Sequence, residues 1–256
     1  MTTQLEKALQ NYGQITDGTA PLYEELEPLR DITYRFQEMM MIYKAAIREV
    51  RTKLEVLNDE FQVRSKRNPI RYIKQRVKKP ESILEKLHRR GFEISLDSMI
   101  QNLNDIAGIR VVCAYESDIY SIAKMLTKQD DVKLLLIKDY IKEPKPNGYR
   151  SLHLLIEIPV FFSDRKQFVK VEVQIRTMAM DFWASLEHQL RYKSEEEQDE
   201  EIINELRECA EVIHATDKKM QKIYEKISEN QTLEEKIYID KNSDGDIISL
   251  FNETSE

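Results

Sequence analysis

The sequence predicts an α/β (α+β) fold, a mixed β-sheet core flanked by N- and C-terminal helices. Three observations predict it. A long apolar stripe at helical spacing fills much of the first quarter of the chain. Four short runs rich in Val, Ile and Leu follow, with one helical segment between the first two. A charged segment of helical character then closes the patterned part of the chain.

Residues 1–20 are weakly patterned, and 1–63 read as an N-terminal helical region. From about Leu29, the residues Ile32, Phe36, Met39, Tyr43, Ile47, Val50, Leu54, Leu57 and Phe61 recur at steps of three and four, with no Gly or Pro among them. This stripe must bury itself on the domain or on another subunit. Asn68-Pro69 ends the pattern. Pro80 suits the first turn of a second helix that stops at Gly91, and Leu96–Leu103 reads as a short helix. The predicted strands are Ile109–Tyr115, Val132–Ile137, Tyr149–Ile158 and Phe168–Ile175. A helix over Asp118–Lys128 separates the first pair, and Ser163–Lys166 forms a hairpin loop between the last pair. Helices over about Ala179–Tyr192 and Glu200–Ile227 follow. The core thus spans 64–193, an acidic helix 194–229, and a polar tail expected to be mobile 230–256.

Composition narrows the function. The 256 residues are 41% hydrophobic and 33% charged, with a net charge of −7. That balance argues against bulk nucleic-acid binding. No apolar run approaches the ~18 residues of a membrane span. The N-terminus lacks a basic-then-apolar leader pattern. Cys113 and Cys209 lie far apart and read as reduced thiols, which points to the cytoplasm. The average hides a polarity. Arg64–Arg90 carries a net +9 and Ser194–Glu211 a net −8. A basic block in an acidic protein suits a compact anion such as phosphate, or a solvated helical face.

Strand alternation sharpens this. In VEVQIR, Val171, Val173 and Ile175 share one face while Glu172, Gln174 and Arg176 share the other. In the preceding strand, Tyr149, Ser151 and His153 oppose Leu152, Leu154 and Ile156. Pairing the two as a hairpin would put Tyr, Ser, His, Glu, Gln and Arg on one face, an odd mixture for mere solubility. Arg150, between Tyr149 and Ser151, falls on the other side and has no evident role. In NDIAGIRVV, Asp105 precedes the first strand, Gly108 permits close backbone approach, and Arg110 opposes Ile109 and Val111. A lone Asp there is commonly a turn residue. Paired with Glu172 it could hold Mg²⁺, which takes one or two carboxylates plus phosphate oxygens. On the second helix Ser82, Lys86 and Arg89 share a face, with Arg76 and Lys78 just before its positive end. No glycine-rich phosphate loop of Walker or dinucleotide type is present. Trp183 reads as core, Glu187-His188 as structural, and the histidines and cysteines show no zinc spacing.

Five pieces in order, RVKKPESILEKLHR, NDIAGIRVV, KDYIKEPKPNGYRSLH, VEVQIRT and MDFWASLEHQLRYK, resemble the synthetase domain of RelA/SpoT-type enzymes, which make (p)ppGpp. The resemblance runs from about Ile70 to Lys193, and the chain is similar to the stand-alone small alarmone synthetases of bacteria. It implies a nucleotidyltransferase-like core that moves the β,γ-diphosphate of ATP to the 3′-hydroxyl of GDP or GTP in the stringent response. It further implies that Arg76 and Arg110 sandwich adenine and that Lys78, Lys86 and Arg89, with Ser82 beside them, hold ATP. Asp105 and Glu172 would bind Mg²⁺, Glu172 also activating the hydroxyl. Tyr149 would stack on guanine, with Lys145, His153, Gln174 and Arg176 on the acceptor side. No histidine is followed by Asp, so synthesis without hydrolysis is expected. A homotetramer through the flanking helices is implied, the Ile32–Phe61 stripe and the Glu200–Ile227 helix being candidate surfaces. Two alternatives remain: a toxin-like relative that diphosphorylates an RNA 3′ end, and a non-catalytic nucleotide- or RNA-binding regulator. RNA is also a candidate regulator of the enzyme; a membrane partner is not expected.

Overall fold

Covering one face of a sheet determines what its other face can do. In the computed structural model, residues 27–65, 67–193 and 200–229 are described. The expectations for residues 1–20 and for the tail lie outside them. The order is helix α1 (Glu27–Ser65), strand β1 (Ile70–Val77), helix α2 (Pro80–Arg89), helix α3 (Leu96–Asn102), strand β2 (Ala107–Cys113) and helix α4 (Glu116–Thr127). Then come strands β3 (Lys133–Asp139), β4 (Leu152–Phe161) and β5 (Lys166–Thr177), and helices α5 (Met178–Lys193) and α6 (Glu200–Glu229). The five strands form one mixed sheet in the order β1-β2-β5-β4-β3. Only the β2–β5 pair is parallel.

The α1 stripe packs on this sheet. Phe36, Met39, Tyr43, Ile47, Val50, Leu54 and Leu57 are buried in the same cluster as Ile109, Val111, Leu154, Ile156, Val171, Val173 and Ile175. Each Leu or Ile so placed stabilises the fold by about 2–5 kcal/mol against truncation to Ala. The stripe is therefore consumed by its own domain, which corrects its expected place on a tetramer surface. Polar clasps lock the packing: Lys53 Nζ lies 2.6 Å from Asp131 Oδ2, and Arg165 Nη2 lies 2.6 Å from Glu38 Oε1. No helix among the described residues is long and apolar enough to cross a membrane.

Strand β1 is a correction to the sequence reading, which saw only a basic block there. Its register with β2 shifts between Ile70 and Tyr72, so a bulge lets Ile70 and Ile73 both face the core. That spacing of three hides the period of two. The abundant Arg and Lys are those of an edge strand, where charge blocks further pairing. A second correction concerns β4, which begins at Leu152 rather than Tyr149. Lys145–Tyr149 instead forms a turn, with Gly148 N–H donating to Lys145 O (2.8 Å) and Lys145 N–H to Tyr149 O (3.2 Å). Strand β2 likewise stops at Cys113, and Tyr115 serves as the N-cap of α4.

Helix α6 braces this turn. Trp183 Nε1–H donates to Leu206 O at 3.0 Å. Arg150, unplaced by the sequence, reaches Glu211 at 3.1 Å. Farther along, the Tyr115 and Tyr224 rings stack at 4.3 Å, with Arg67 over Tyr224 and bidentate on Asp118. Gly148 sits at φ +84°, and a Cβ there would lie 2.5 Å from Ala210 Cβ. Glycine is thus needed both for conformation and for contact. Gly148→Ala should destabilise by about 2–4 kcal/mol, read as a lowered Tm. Adding Ala210→Gly should recover only part, because the positive φ remains; full recovery would place the whole cost in the contact.

Candidate active site

The sheet register assembles the site on the face that α1 leaves uncovered. Cross-strand pairing places Lys74, Arg110, Gln174, His153 and Lys138 side by side across all five strands. The next row on the same face holds Arg76, Gly108, Glu172, Leu155 and Leu136, and the row on the other side holds Tyr72, Val112 and Arg176. Gly108 has ordinary backbone angles, and a Cβ there would meet Arg76 O at a relaxed 3.6 Å. Its expected role in close backbone approach is therefore not required. The glycine leaves the floor between Arg76 and Glu172 without a side chain.

At one end of this face the polar groups form a continuous chain. Glu172 accepts from Gln174 Nε2 at 2.9 Å, and Gln174 Oε1 accepts from Arg176 Nη2 at 2.9 Å. Arg176 Nη2 also donates to the Tyr149 hydroxyl, which lies 2.9 Å from His153 Nε2. His153 Nδ1 lies 3.4 Å from Glu172 Oε1 and closes the ring. With Tyr149 accepting from arginine and donating to Nε2, this pattern places the imidazole proton on Nδ1. Burial lowers the His153 pKa, and Glu172 only partly opposes it. Burial pushes Glu172 upward, but His153 and Gln174 hold it below the ordinary glutamate range, so it is ionised. Lys145 Nζ stands 4.7 Å from the Tyr149 ring centroid and 4.8 Å from that of Tyr140. Ser151 is not on this face as alternation suggested. It is fully buried, donating to Ile175 O at 3.2 Å and accepting from Arg176 Nε at 3.3 Å.

At the other end, Asp105 Oδ2 lies 2.8 Å from Lys78 Nζ and 2.7 Å from Lys86 Nζ. Burial raises the Asp105 pKa, and the two ammonium groups outweigh it, so the carboxylate is ionised. Burial lowers that of Lys86. Thus the two lysines expected on phosphate are neutralising Asp105 here. Ser82, Arg89 and Arg76 make no side-chain hydrogen bond or ion pair with any described residue. The expected helix face carries its contact through Lys86 alone.

The residues fit a divalent cation. Asp105 Oδ1 is buried without a partner. Its charge acts on Glu172, which lies beside Gly108 in the β2–β5 register. Two ionised carboxylates with a spare oxygen make a hard-oxygen donor pair that phosphate oxygens can complete. Among the described residues no group of three or more His, Cys, Asp or Glu is arranged to hold a metal alone.

Sequence reading missed several residues. Asp181, in the first turn of α5, accepts from Tyr72 Oη (2.8 Å), Arg110 Nη1 (3.1 Å) and Arg176 Nη1 (3.3 Å), with Lys74 Nζ at 3.6 Å. Glu187, read as structural, accepts from Asn147 Nδ2 at 3.1 Å, and Asn147 Oδ1 accepts from Tyr149 N–H at 3.2 Å. The pair sets the turn that carries Tyr149. Both acids share MDFWASLEHQ, but helical spacing cannot show that they point back at strands. Trp183 is core as expected, its ring 6.4 Å from that of Tyr149.

Known proteins resemble this chain over about three quarters of its length. A family model described as a region found in RelA / SpoT proteins matches residues 75–197. GTP pyrophosphokinase YwaC of Bacillus subtilis is 43% identical over 195 residues, 76% of this chain and 93% of that protein. GTP pyrophosphokinase YjbM of the same organism is 33% identical over 197 residues, 77% and 92% of the two chains. The crystal structure of small alarmone synthetase 1 from B. subtilis bound to its product pppGpp superposes with a TM-score of 0.71 at 32% identity, covering 76% of this chain and 99% of that one. The same synthetase bound to AMPCPP gives 0.65 at 30% identity, covering 77% and 99%.

The buried, neutral imidazole yields a prediction. By NMR, the folded protein should show His153 titrating below the ordinary histidine value of about 6.5. The unfolded chain then takes the proton more readily, so this group's contribution to stability is present above that value and lost as pH falls. A midpoint at or above it would contradict the assignment.

Proposed function

Since the chain belongs to the RelA/SpoT family, we propose that it is a GTP pyrophosphokinase of the small alarmone synthetase kind. It moves the β,γ-diphosphate of ATP to the 3′-hydroxyl of GDP or GTP, giving ppGpp or pppGpp and AMP. One observation carries the reading. A single uncovered sheet face joins a polar ring around Glu172 and Tyr149 to a cationic group around Asp105, with Arg76 across Gly108 from Glu172 in the register. A donor and an acceptor nucleotide can meet there.

The 3′-oxygen attacks the β-phosphorus, the bond to the α-phosphate oxygen breaks, and AMP leaves. Glu172, ionised and within the ring, orients the 3′-hydroxyl and takes its proton as the new O–P bond forms. Its depressed pKa suits it at least as well to charge and orientation as to strong basicity. Lys78, Lys86 and Arg89, beside Ser82, accept the polyphosphate, and the shared Asp105 releases part of its charge pairing when phosphate oxygens arrive. Arg76 and Arg110 hold adenine between two guanidinium planes. Tyr149 stacks on guanine after displacing Lys145, which moves to the acceptor phosphates beside Gln174, His153 and Arg176. Asp105 and Glu172 would hold Mg²⁺, which supplies neutralisation of the charge developing on the transferring group. The catalytic region is 64–193.

We assign the flanking helices to a homotetramer. With the α1 stripe buried, the exposed apolar side chains on the C-terminal helices include Phe182, Leu186 and Leu190 on α5 and Met220, Ile223 and Ile227 on α6. Light scattering should give four chains, and Leu186→Asp with Ile223→Asp should lower that mass.

Purified protein with ATP, Mg²⁺ and GDP or GTP should release AMP and a 3′-diphosphorylated guanosine. Product only with deacylated tRNA would replace this reading with RNA diphosphorylation, and no product with any acceptor would leave a regulator. Glu172→Gln or Asp105→Asn should abolish turnover at nearly unchanged Tm; a folded, fully active Glu172→Gln removes the metal and base assignments. Tyr149→Ala should raise the guanosine-nucleotide KM about five- to a hundredfold, from stacking of ~1–3 kcal/mol, and leave the ATP KM nearly unchanged. Equal effects on both would remove the stacking role.

A further inference from the structure

Asp181 is a buried carboxylate with four side-chain partners among the described residues, and it has no part in the reaction as derived above. Its side chain is only 3% exposed. Oδ1 takes a hydrogen bond from Arg110 and another from Arg176, while Oδ2 takes one from Tyr72 and faces Lys74. Arg110 comes from β2 and Arg176 from β5, in adjacent rows of the site face. In the functional reading, the first guanidinium belongs to the ATP side and the second to the acceptor side. One carboxylate oxygen therefore holds an arm of each nucleotide's pocket.

Left without that oxygen, the two guanidiniums would repel one another. Arg176 is itself buried, and its remaining bonds are to neutral groups: Ser151, Gln174 and Tyr149. Arg110 has no other side-chain anchor among the described residues, and its Nε is buried without a partner. Among the described residues, Asp181 is thus the group that joins these two cations and sets their spacing. It stays ionised, because Tyr72, Arg110, Arg176 and Lys74 together outweigh the upward push of burial. The Tyr72 hydroxyl, pushed up to about 12 by burial and by Asp181, remains a donor at all physiological pH.

We propose that Asp181 is a positioning residue that sets the donor and acceptor pockets relative to one another, through one oxygen shared by Arg110 and Arg176. This rests on the functional reading above, which assigns the two arginines to different nucleotides. The charge leaves the pair with a surplus for phosphate: three nearby cations, Lys74, Arg110 and Arg176, meet one carboxylate.

The test is two-substrate kinetics with direct binding of GDP and of AMPCPP, an ATP analogue that cannot transfer its diphosphate. Arg110→Lys should raise mainly the ATP KM, and Arg176→Lys mainly the acceptor KM. Asp181→Asn should raise both, each about five- to twentyfold, and lower kcat at least tenfold. A merely structural Asp181 would lower Tm and the active fraction but leave both KM values of the surviving enzyme unchanged; that result, or a shift confined to one nucleotide, overturns the proposal. If Asp181→Asn does not fold, Tyr72→Phe decides. It withdraws one hydrogen bond from Asp181 without altering charge and should raise both KM values about two- to threefold; unchanged values overturn the proposal. A wild-type protein that binds both nucleotides without turnover refutes the reaction, and the shared shift in the two dissociation constants still reports the bridge. Wild type that binds neither nucleotide overturns both.

Discussion

The burial of one sheet face by α1 is the constraint on which the rest depends. Because side chains alternate along a strand, every apolar residue committed to α1 forces its neighbours onto the opposite face. Val171, Val173 and Ile175 are fully buried, and Glu172, Gln174 and Arg176 have nowhere else to go. The parallel β2–β5 pair then brings Arg110 beside Gln174, and the antiparallel β4–β5 pair brings His153 to its other side. A one-residue slip would exchange core and site in that strand. The hydrophobic term that stabilises the domain is thus also the term that keeps the site in register.

Charge is arranged with the same economy. Asp105 serves two lysines and Asp181 two arginines, so cations can be held close together with part of their mutual repulsion offset. Each carboxylate balances only part of the positive charge around it. The residue is a positive field suited to polyphosphate, inside a chain whose net charge is −7. This arrangement concentrates positive charge on the site face of an acidic protein without a glycine-rich loop.

Helix α6 braces the Tyr149 end of the site from outside the sheet. Its backbone meets Gly148 closely, its Glu211 holds Arg150, and Leu206 O takes the Trp183 indole proton. The turn that carries Tyr149 is thereby gripped from below by Glu187 through Asn147 and from the side by α6. Tyr149, on a turn, gains its fixed orientation from such contacts, since the strand ladder begins only at Leu152.

The sequence by itself determined the α1 stripe, the apolar strands, the α2 helix with its Pro start, and the alternation that set Glu172, Gln174 and Arg176 on one face. Each is a local periodicity, and local periodicities survive in a single sequence. It also carried the ordered motifs that tie the chain to its family. Tertiary structure decided what depends on two distant segments meeting. Strand β1 stayed hidden because a bulge spaced Ile70 and Ile73 by three. The clamp of Lys78 and Lys86 on Asp105, the Glu187–Asn147 support and the Asp181–Arg110 arm of the bridge join residues well separated in the chain. Arg150 shows the division most simply: alternation said which way it could not point, and only the position of α6 supplied its partner. A strand or helix pattern records which face a residue occupies, but the partner across that face is set by packing, which no single segment encodes.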